Sequence, residues 1–157
     1  MVSQEGKSTQ GGSGKISPEA IDTRKKILVI DDDPVTVKAL THSLNGRGFA
    51  VYSAKDGSEA IGVVRDENPD MLLVDVNFSS DDVFGAAGTW DGFQITRWLR
   101  YVSARKIPAI IISATNKEDY KKYAEKIGAE TFMAKPLSND ILFQSIESAL
   151  SRALLSN

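Results

Sequence analysis

The run Met71-Leu72-Leu73-Val74 carries no charge and is closed by Asp75. A strand that is apolar at every position, rather than at alternate ones, must be covered on both faces, as in a parallel sheet held between layers of helices. Such a strand is expected to stop where its first carboxylate reaches water, which puts Asp75 at a carboxyl end. Three more runs are built the same way. Ile27-Leu28-Val29-Ile30 ends in Asp31-Asp32-Asp33, Ile110-Ile111-Ile112 ends in Ser113-Ala114-Thr115, and Thr131-Phe132-Met133-Ala134 ends in Lys135-Pro136. Open α/β sheets bind ligands beyond the carboxyl ends of their strands. Acids, hydroxyls and one lysine are therefore expected on a single edge.

The segments between these runs read as helices. Asp33 caps the first, with Pro34 in its opening turn where the missing N–H costs nothing, and Val37, Leu40 and Leu44 fall on one face. Gly46-Arg47-Gly48 closes it, and Phe49 to Ser53 reads as a further strand. Asp56-Gly57 opens a helix with Ala60, Ile61 and Val64 inward. Ile95, Leu99 and Val102 stripe a third; Tyr123 and Ile127 mark a fourth. Leu142, Ile146, Leu150 and Ala153 mark a fifth, from about Ser138 to Leu155 with Ser138 as cap. Five alternations of strand and helix predict a five-stranded parallel sheet with helices on both faces and right-handed crossovers. Strand order 2-1-3-4-5 makes Asp31, Asp32 and Asp75 neighbours.

Composition narrows the function. The chain has 157 residues, 41% hydrophobic and 25% charged, which suits one globular domain. A net charge of -2 supplies no basic field for nucleic acid or an anionic membrane surface. Without cysteine there are neither disulfides nor thiolate metal sites. No apolar run reaches the length of a membrane span and the amino terminus lacks a signal-peptide core, so the cytoplasm is the expected compartment. Residues 1–24, rich in Gly, Ser and Gln, are expected to form a flexible tail ahead of a domain spanning 25–157. Gly14-Lys15 is no phosphate loop: Ile16 stands where a hydroxyl is needed, and no strand precedes it.

Three clustered carboxylates need a countercharge. A hard cation such as Mg²⁺ supplies one while sharing a phosphate oxygen, and the lysine, hydroxyl and carboxylate nucleophile beside it suit phosphoryl transfer.

On these residues the sequence resembles the receiver domain of two-component response regulators, from about Lys26 to Leu155. Ile27 to Asp32 resembles the family's first strand and acidic pair, and Pro69 to Asp75 the strand bearing its phosphorylated aspartate. Ser113-Ala114 matches the switch hydroxyl and its small neighbour, Phe132 the switch aromatic, Lys135-Pro136 the lysine and its proline. Asp91-Gly92 resembles the turn that opens the third helix. The resemblance implies that Asp75 accepts phosphate from the phosphohistidine of a sensor histidine kinase or histidine phosphotransfer protein. It implies Mg²⁺ on Asp31, Asp32, Asp75 and the main-chain carbonyl of Asn77, with Lys135 on the phosphoryl group and Ser113 turning toward it. Thr115 then influences the lifetime of the phosphoryl group, and Phe132 moves inward to present a new surface to a downstream protein.

The chain departs from the family after Asp75. Phe78-Ser79 replaces the usual Met-Pro, and the spacing to Asp91 is longer than usual, leaving an inserted loop at about 78–90. With Asp81, Asp82, Phe84 and Trp90, this loop is expected to lie over the site and tune access to it. Two alternatives stand beside the receiver. Asp31-Asp32-Asp33-Pro34-Val35 also fits the first motif of haloacid-dehalogenase-type phosphatases, with Asp31 as nucleophile and Asp33 as acid/base, although the acidic pair expected after Lys135 is missing. A phosphorylation-inert receiver serving as an interaction module is the other. The reading adopted is a stand-alone receiver, a phosphoacceptor rather than an enzyme, whose long fifth helix offers a face for a possible homodimer.

Overall fold

The computed structural model describes residues 22–77 and 91–155. The inserted loop at 78–90, with Asp81, Asp82, Phe84 and Trp90, lies outside the described residues, as do residues 1–21 of the amino-terminal segment. Strands and helices alternate as β1 (Lys26–Ile30), α1 (Pro34–Gly46), β2 (Ala50–Ala54), α2 (Gly57–Glu67) and β3 (Met71–Asp75). They continue as α3 (Gly92–Val102), β4 (Ala109–Ser113), α4 (Glu118–Lys126), β5 (Thr131–Ala134) and α5 (Asn139–Leu155). The sheet order is β2-β1-β3-β4-β5, with every pairing parallel.

The charge-free strands divide their side chains between two cores. Leu28, Ile30, Leu72, Val74, Ala109 and Ile111 pack with Ala60 and Val64 of α2, Leu99 of α3 and Ala124 of α4. Ile27, Val29, Met71, Leu73, Ile110 and Ile112 pack with Leu40 and Leu44 of α1 and Leu142 and Ile146 of α5. Alternate side chains of one strand point to opposite faces, so a strand covered on both sides has no position left for a charge until its end.

Asp33 caps α1 as the sequence indicates, and two further aspartates cap helices. Asp33 accepts N–H bonds from Val35 and Thr36 with Pro34 beginning α1. Asp56 accepts from the Glu59 N–H at 2.8 Å, and Asp91 from the Gln94 N–H at 2.9 Å. Each stabilises its helix by about 1 kcal/mol by satisfying a donor that the helix cannot.

Two expectations are corrected. Val102 is 47% exposed although its angular position matches Ile95 and Leu99; it is the last residue of α3, and burial needs a covering neighbour as well as the right angle. In its place α3 buries Phe93 and Thr96. The second strand begins at Ala50 rather than Phe49, because the Ala50 N–H pairs with the Lys25 carbonyl while the Phe49 N–H turns back to Leu44 at the end of α1.

Candidate functional site: a carboxylate cluster at the carboxyl edge of the sheet

The register sets which strand ends meet. Ile30 pairs with Val74, Asp75 with Ile112, and Ser113 with Ala134. Beyond the strands, Asp31 donates its N–H to the Ala54 carbonyl, Val76 to Ile112 and Lys135 to Ser113. The residues that leave the sheet are thus held by main-chain bonds, and their side chains start from fixed points.

Asp31, Asp32 and Asp75 each place a carboxylate oxygen within 4.8 Å of the others. Asp31 is 3% and Asp75 5% exposed, whereas Asp32 faces solvent. The expectation that Asp75 ends its strand by reaching water is therefore corrected: it ends the strand by reaching a lysine. Lys135 Nζ lies 3.0 Å from Asp31 Oδ2 and 3.6 Å from Asp75 Oδ1. Asp31 also accepts the Asp33 N–H at 2.9 Å through Oδ1, so both of its oxygens are engaged. Asp75 Oδ1 is buried and has no hydrogen-bond partner among the described residues. Burial pushes the Asp75 carboxyl above its ordinary range, with Asp31 and Asp32 adding to the rise, while Lys135 and the Asn77 N–H pull the other way without cancelling it. Burial also opposes the charge on Lys135, but Asp31 and Asp75 outweigh it and hold the ammonium above its ordinary range.

Ser113 ends β4 fully buried, and its Oγ accepts the Thr115 N–H at 3.0 Å. That bond aims the hydroxyl and holds Thr115 beside it, half-exposed. Asn77 is exposed two residues past Asp75. Phe132 is half-buried against the α2–α3–α4 core, two positions before the alanine that pairs with Ser113.

Sequence reasoning saw Gly92 only as a turn residue. The Gly92 N–H bonds the Val76 carbonyl at 3.2 Å, and a Cβ at this position would collide with the Asp75 carbonyl oxygen. Only glycine lets the start of α3 lie against the backbone that carries the cluster. Thr96, fully buried, ties the next turn down by donating Oγ1–H to the Gly92 carbonyl at 2.6 Å. The Asp91-Gly92 pair was the available signal; nothing local marks Thr96.

Two buried carboxylates share one lysine, a third stands at the solvent boundary, and one oxygen lacks a donor. This donor set fits a hard divalent cation, which accepts carboxylate oxygens together with water. It also fits an incoming phosphoryl group, because Asp75 Oδ1 is buried and takes no hydrogen bond among the described residues. Asp33, by contrast, is engaged as the α1 cap, and those hydrogen bonds favour its ionised form, which counts against it as the acid of the phosphatase alternative.

Residues 27–147 match the response regulator receiver domain. The chain belongs to that family. Its receiver domain is 29% identical over 127 residues to protein PilH of Pseudomonas aeruginosa, covering 80% of this chain and 98% of PilH. A CheY-like response regulator receiver domain protein from Methanospirillum hungatei superposes with a TM-score of 0.74 at 18% identity, over 86% of this chain and 100% of that one. A response regulator from Burkholderia pseudomallei, solved with a phosphorylated aspartic acid, a calcium ion and citrate, gives 0.67 at 23% identity, over 84% of this chain and 72% of that one. These solved structures share the parallel 2-1-3-4-5 fold. As a receiver domain of response regulators the chain is assigned to phosphorelay signalling, a role distinct from that of a classical enzyme. No helix among the described residues is long and apolar enough to cross a membrane.

Proposed function

We propose that residues 25–157 form a receiver whose phosphoacceptor is Asp75, charged by the phosphohistidine of a sensor histidine kinase or a histidine phosphotransfer protein. The observation that carries this reading is Asp75 Oδ1, buried beside Lys135 with no hydrogen-bond donor among the described residues. Attack by that oxygen on the phosphohistidine phosphorus forms the acyl phosphate and breaks the P–N bond, the electron pair and a proton going to the departing imidazole. Asp31, Asp32, Asp75 and the Asn77 main-chain carbonyl would hold Mg²⁺, which when bound neutralises charge on the phosphoryl oxygens. Lys135 can exchange its Asp75 contact for a phosphoryl oxygen without leaving Asp31. Ser113 can give its hydroxyl proton to the same group while still accepting from Thr115. Phe132, only half-buried against the core, would move inward when Ser113 turns. The resulting change of surface is what a downstream protein reads. The phosphorylated aspartic acid in the Burkholderia relative supports the assignment by analogy of fold.

The test is mass spectrometry after treatment with a small phosphodonor and Mg²⁺. Phosphate should be recovered on Asp75 and be lost in Asp75→Asn, while Asp31→Asn mainly weakens the Mg²⁺ dependence. Phosphate on Asp31, or labelling that survives Asp75→Asn, overturns the assignment.

A further inference from the structure

A second concentration of charge lies far from the carboxylates, where the carboxyl-terminal ends of α3 and α4 meet. Arg100 is half-buried there and its guanidinium is pinned: Nε donates to the Ile107 carbonyl at 2.9 Å, and Nη1 to the Ile127 and Gly128 carbonyls at 2.8 and 2.9 Å. Nη2 is buried and has no hydrogen-bond partner among the described residues. Among the described residues no carboxylate forms an ion pair with Arg100. Glu130, the acid whose charge acts on it, is itself bound by Arg152 at 3.0 Å. A buried guanidinium is ordinarily neutralised by an anion as well as hydrogen-bonded. This one has neutral carbonyls alone.

Arg100 forms one wall of a cleft of about 440 Å³ whose other lining residues are Arg97, Tyr123, Lys126 and Ile127. Three cations line it and no acid does. Neither Arg97 nor Lys126 has an ion pair among the described residues. Cations in the last turn of a helix answer its dipole, which accounts for Arg100 and Lys126 but not for Arg97, nor for their arrangement around a concavity. Tyr123 is held edge-on by Phe93, with ring centroids 4.9 Å apart, and with Ile127 it supplies an apolar side to the cleft.

We propose that this cleft binds a small phosphate-bearing anion. A pinned guanidinium loses little freedom on meeting a phosphate oxygen, Arg97 and Lys126 close over the remaining charge, and Tyr123 and Ile127 accept the organic part of a phosphate ester. The site is independent of the phosphoacceptor: it takes an intact anion and involves no group transfer.

The experiment is a titration of the full chain with inorganic phosphate and with adenosine 5′-monophosphate, without Mg²⁺ and at physiological salt, followed by backbone amide chemical shifts. Saturable shifts should centre on Arg97 to Arg100 and Tyr123 to Gly128. The dissociation constant should rise about tenfold in the double variant Arg97→Gln, Lys126→Gln, which removes two exposed charges and leaves the carbonyl bonds of Arg100 in place. Equal binding of both probes means that the cleft reads the phosphate group; binding of the nucleotide alone means that Tyr123 and Ile127 contribute. Either outcome supports the site. Shifts confined to the Asp75 and Lys135 edge, unchanged affinity in the double variant, or no saturation by either probe would overturn it.

Discussion

The sheet places ionic groups at both ends of β1 and β3, and the two ends are satisfied to different degrees. At the amino ends, both Asp70 oxygens have donors, Lys25 Nζ at 3.1 Å and the Lys26 N–H at 2.8 Å, with Arg105 Nη1 at 3.6 Å. Arg105 also ties down the Asn68 and Pro69 carbonyls, and Lys26 Nζ binds Glu67. At the carboxyl ends, among the described residues, Asp31 and Asp75 divide a single lysine and Asp75 Oδ1 goes without a hydrogen bond. The completed network joins the segments before β1, β3 and β4, whereas the incomplete one holds electrostatic free energy that an arriving cation or phosphoryl group can release. Completeness at one end and deficit at the other separate stability from function on the same two strands.

The largest expected effect tests the mechanical base of the deficient end. Gly92→Val drives a side chain into the Asp75 backbone and should cost about 3 kcal/mol or more in denaturant unfolding, with phosphorylation lost as well. Unfolding within error of wild type would mean that α3 can shift away and that the close approach is dispensable.

Next is the complete end. Asp70→Ala should cost about 2 kcal/mol, since it strips acceptors from a part-buried N–H and two cations. Burial pushes the Asp70 carboxyl up, but the Lys26 N–H, Lys25 and Arg105 together outweigh it and hold the group below its ordinary value of 3.8. The unfolded chain therefore binds this proton more readily than the folded one. The contribution is fully present above that value and disappears as pH falls through the depressed folded value. Wild-type stability should converge on that of the variant in this acid range; a pH-independent gap would assign the loss to packing.

The sharpest contrast is one of sign. Asp75→Asn removes one of two buried carboxylates that share Lys135 and keeps the Asp31–Lys135 pair, so it should stabilise the protein at neutral pH by about 1 kcal/mol without Mg²⁺. Acid removal would then destabilise at one end of β3 and stabilise at the other. A loss of stability in Asp75→Asn would erase the distinction between the two ends.

The smallest effect concerns Thr115, whose N–H is fixed on Ser113 Oγ while its side chain reaches solvent. Thr115→Lys and Thr115→Glu should alter the decay of the acyl phosphate about twofold to threefold, a barrier change of about 0.5 kcal/mol, with Mg²⁺ affinity little changed. Identical decay in both variants removes Thr115 from the site.

The amino-acid sequence by itself determined the strand cores, the Asp33 cap and the placing of Asp31, Asp75, Ser113 and Lys135 on one edge of the sheet. The cores and the cap follow from short-range rules: uninterrupted apolar runs need two covering layers, and small acidic residues satisfy the free N–H groups of a helix start. Tertiary structure alone decided that Asp75 is buried rather than wet, that Val102 is exposed despite its angle, and that Gly92 rests on the Asp75 carbonyl. It also decided that Arg100 is pinned by three carbonyls drawn from two loops. Each of these depends on atoms distant in the chain meeting within a few ångströms, and periodicity carries no information about such distances. A lysine sixty residues from an aspartate reads as a charge in sequence; only the packed sheet makes it the partner that leaves one carboxylate oxygen free.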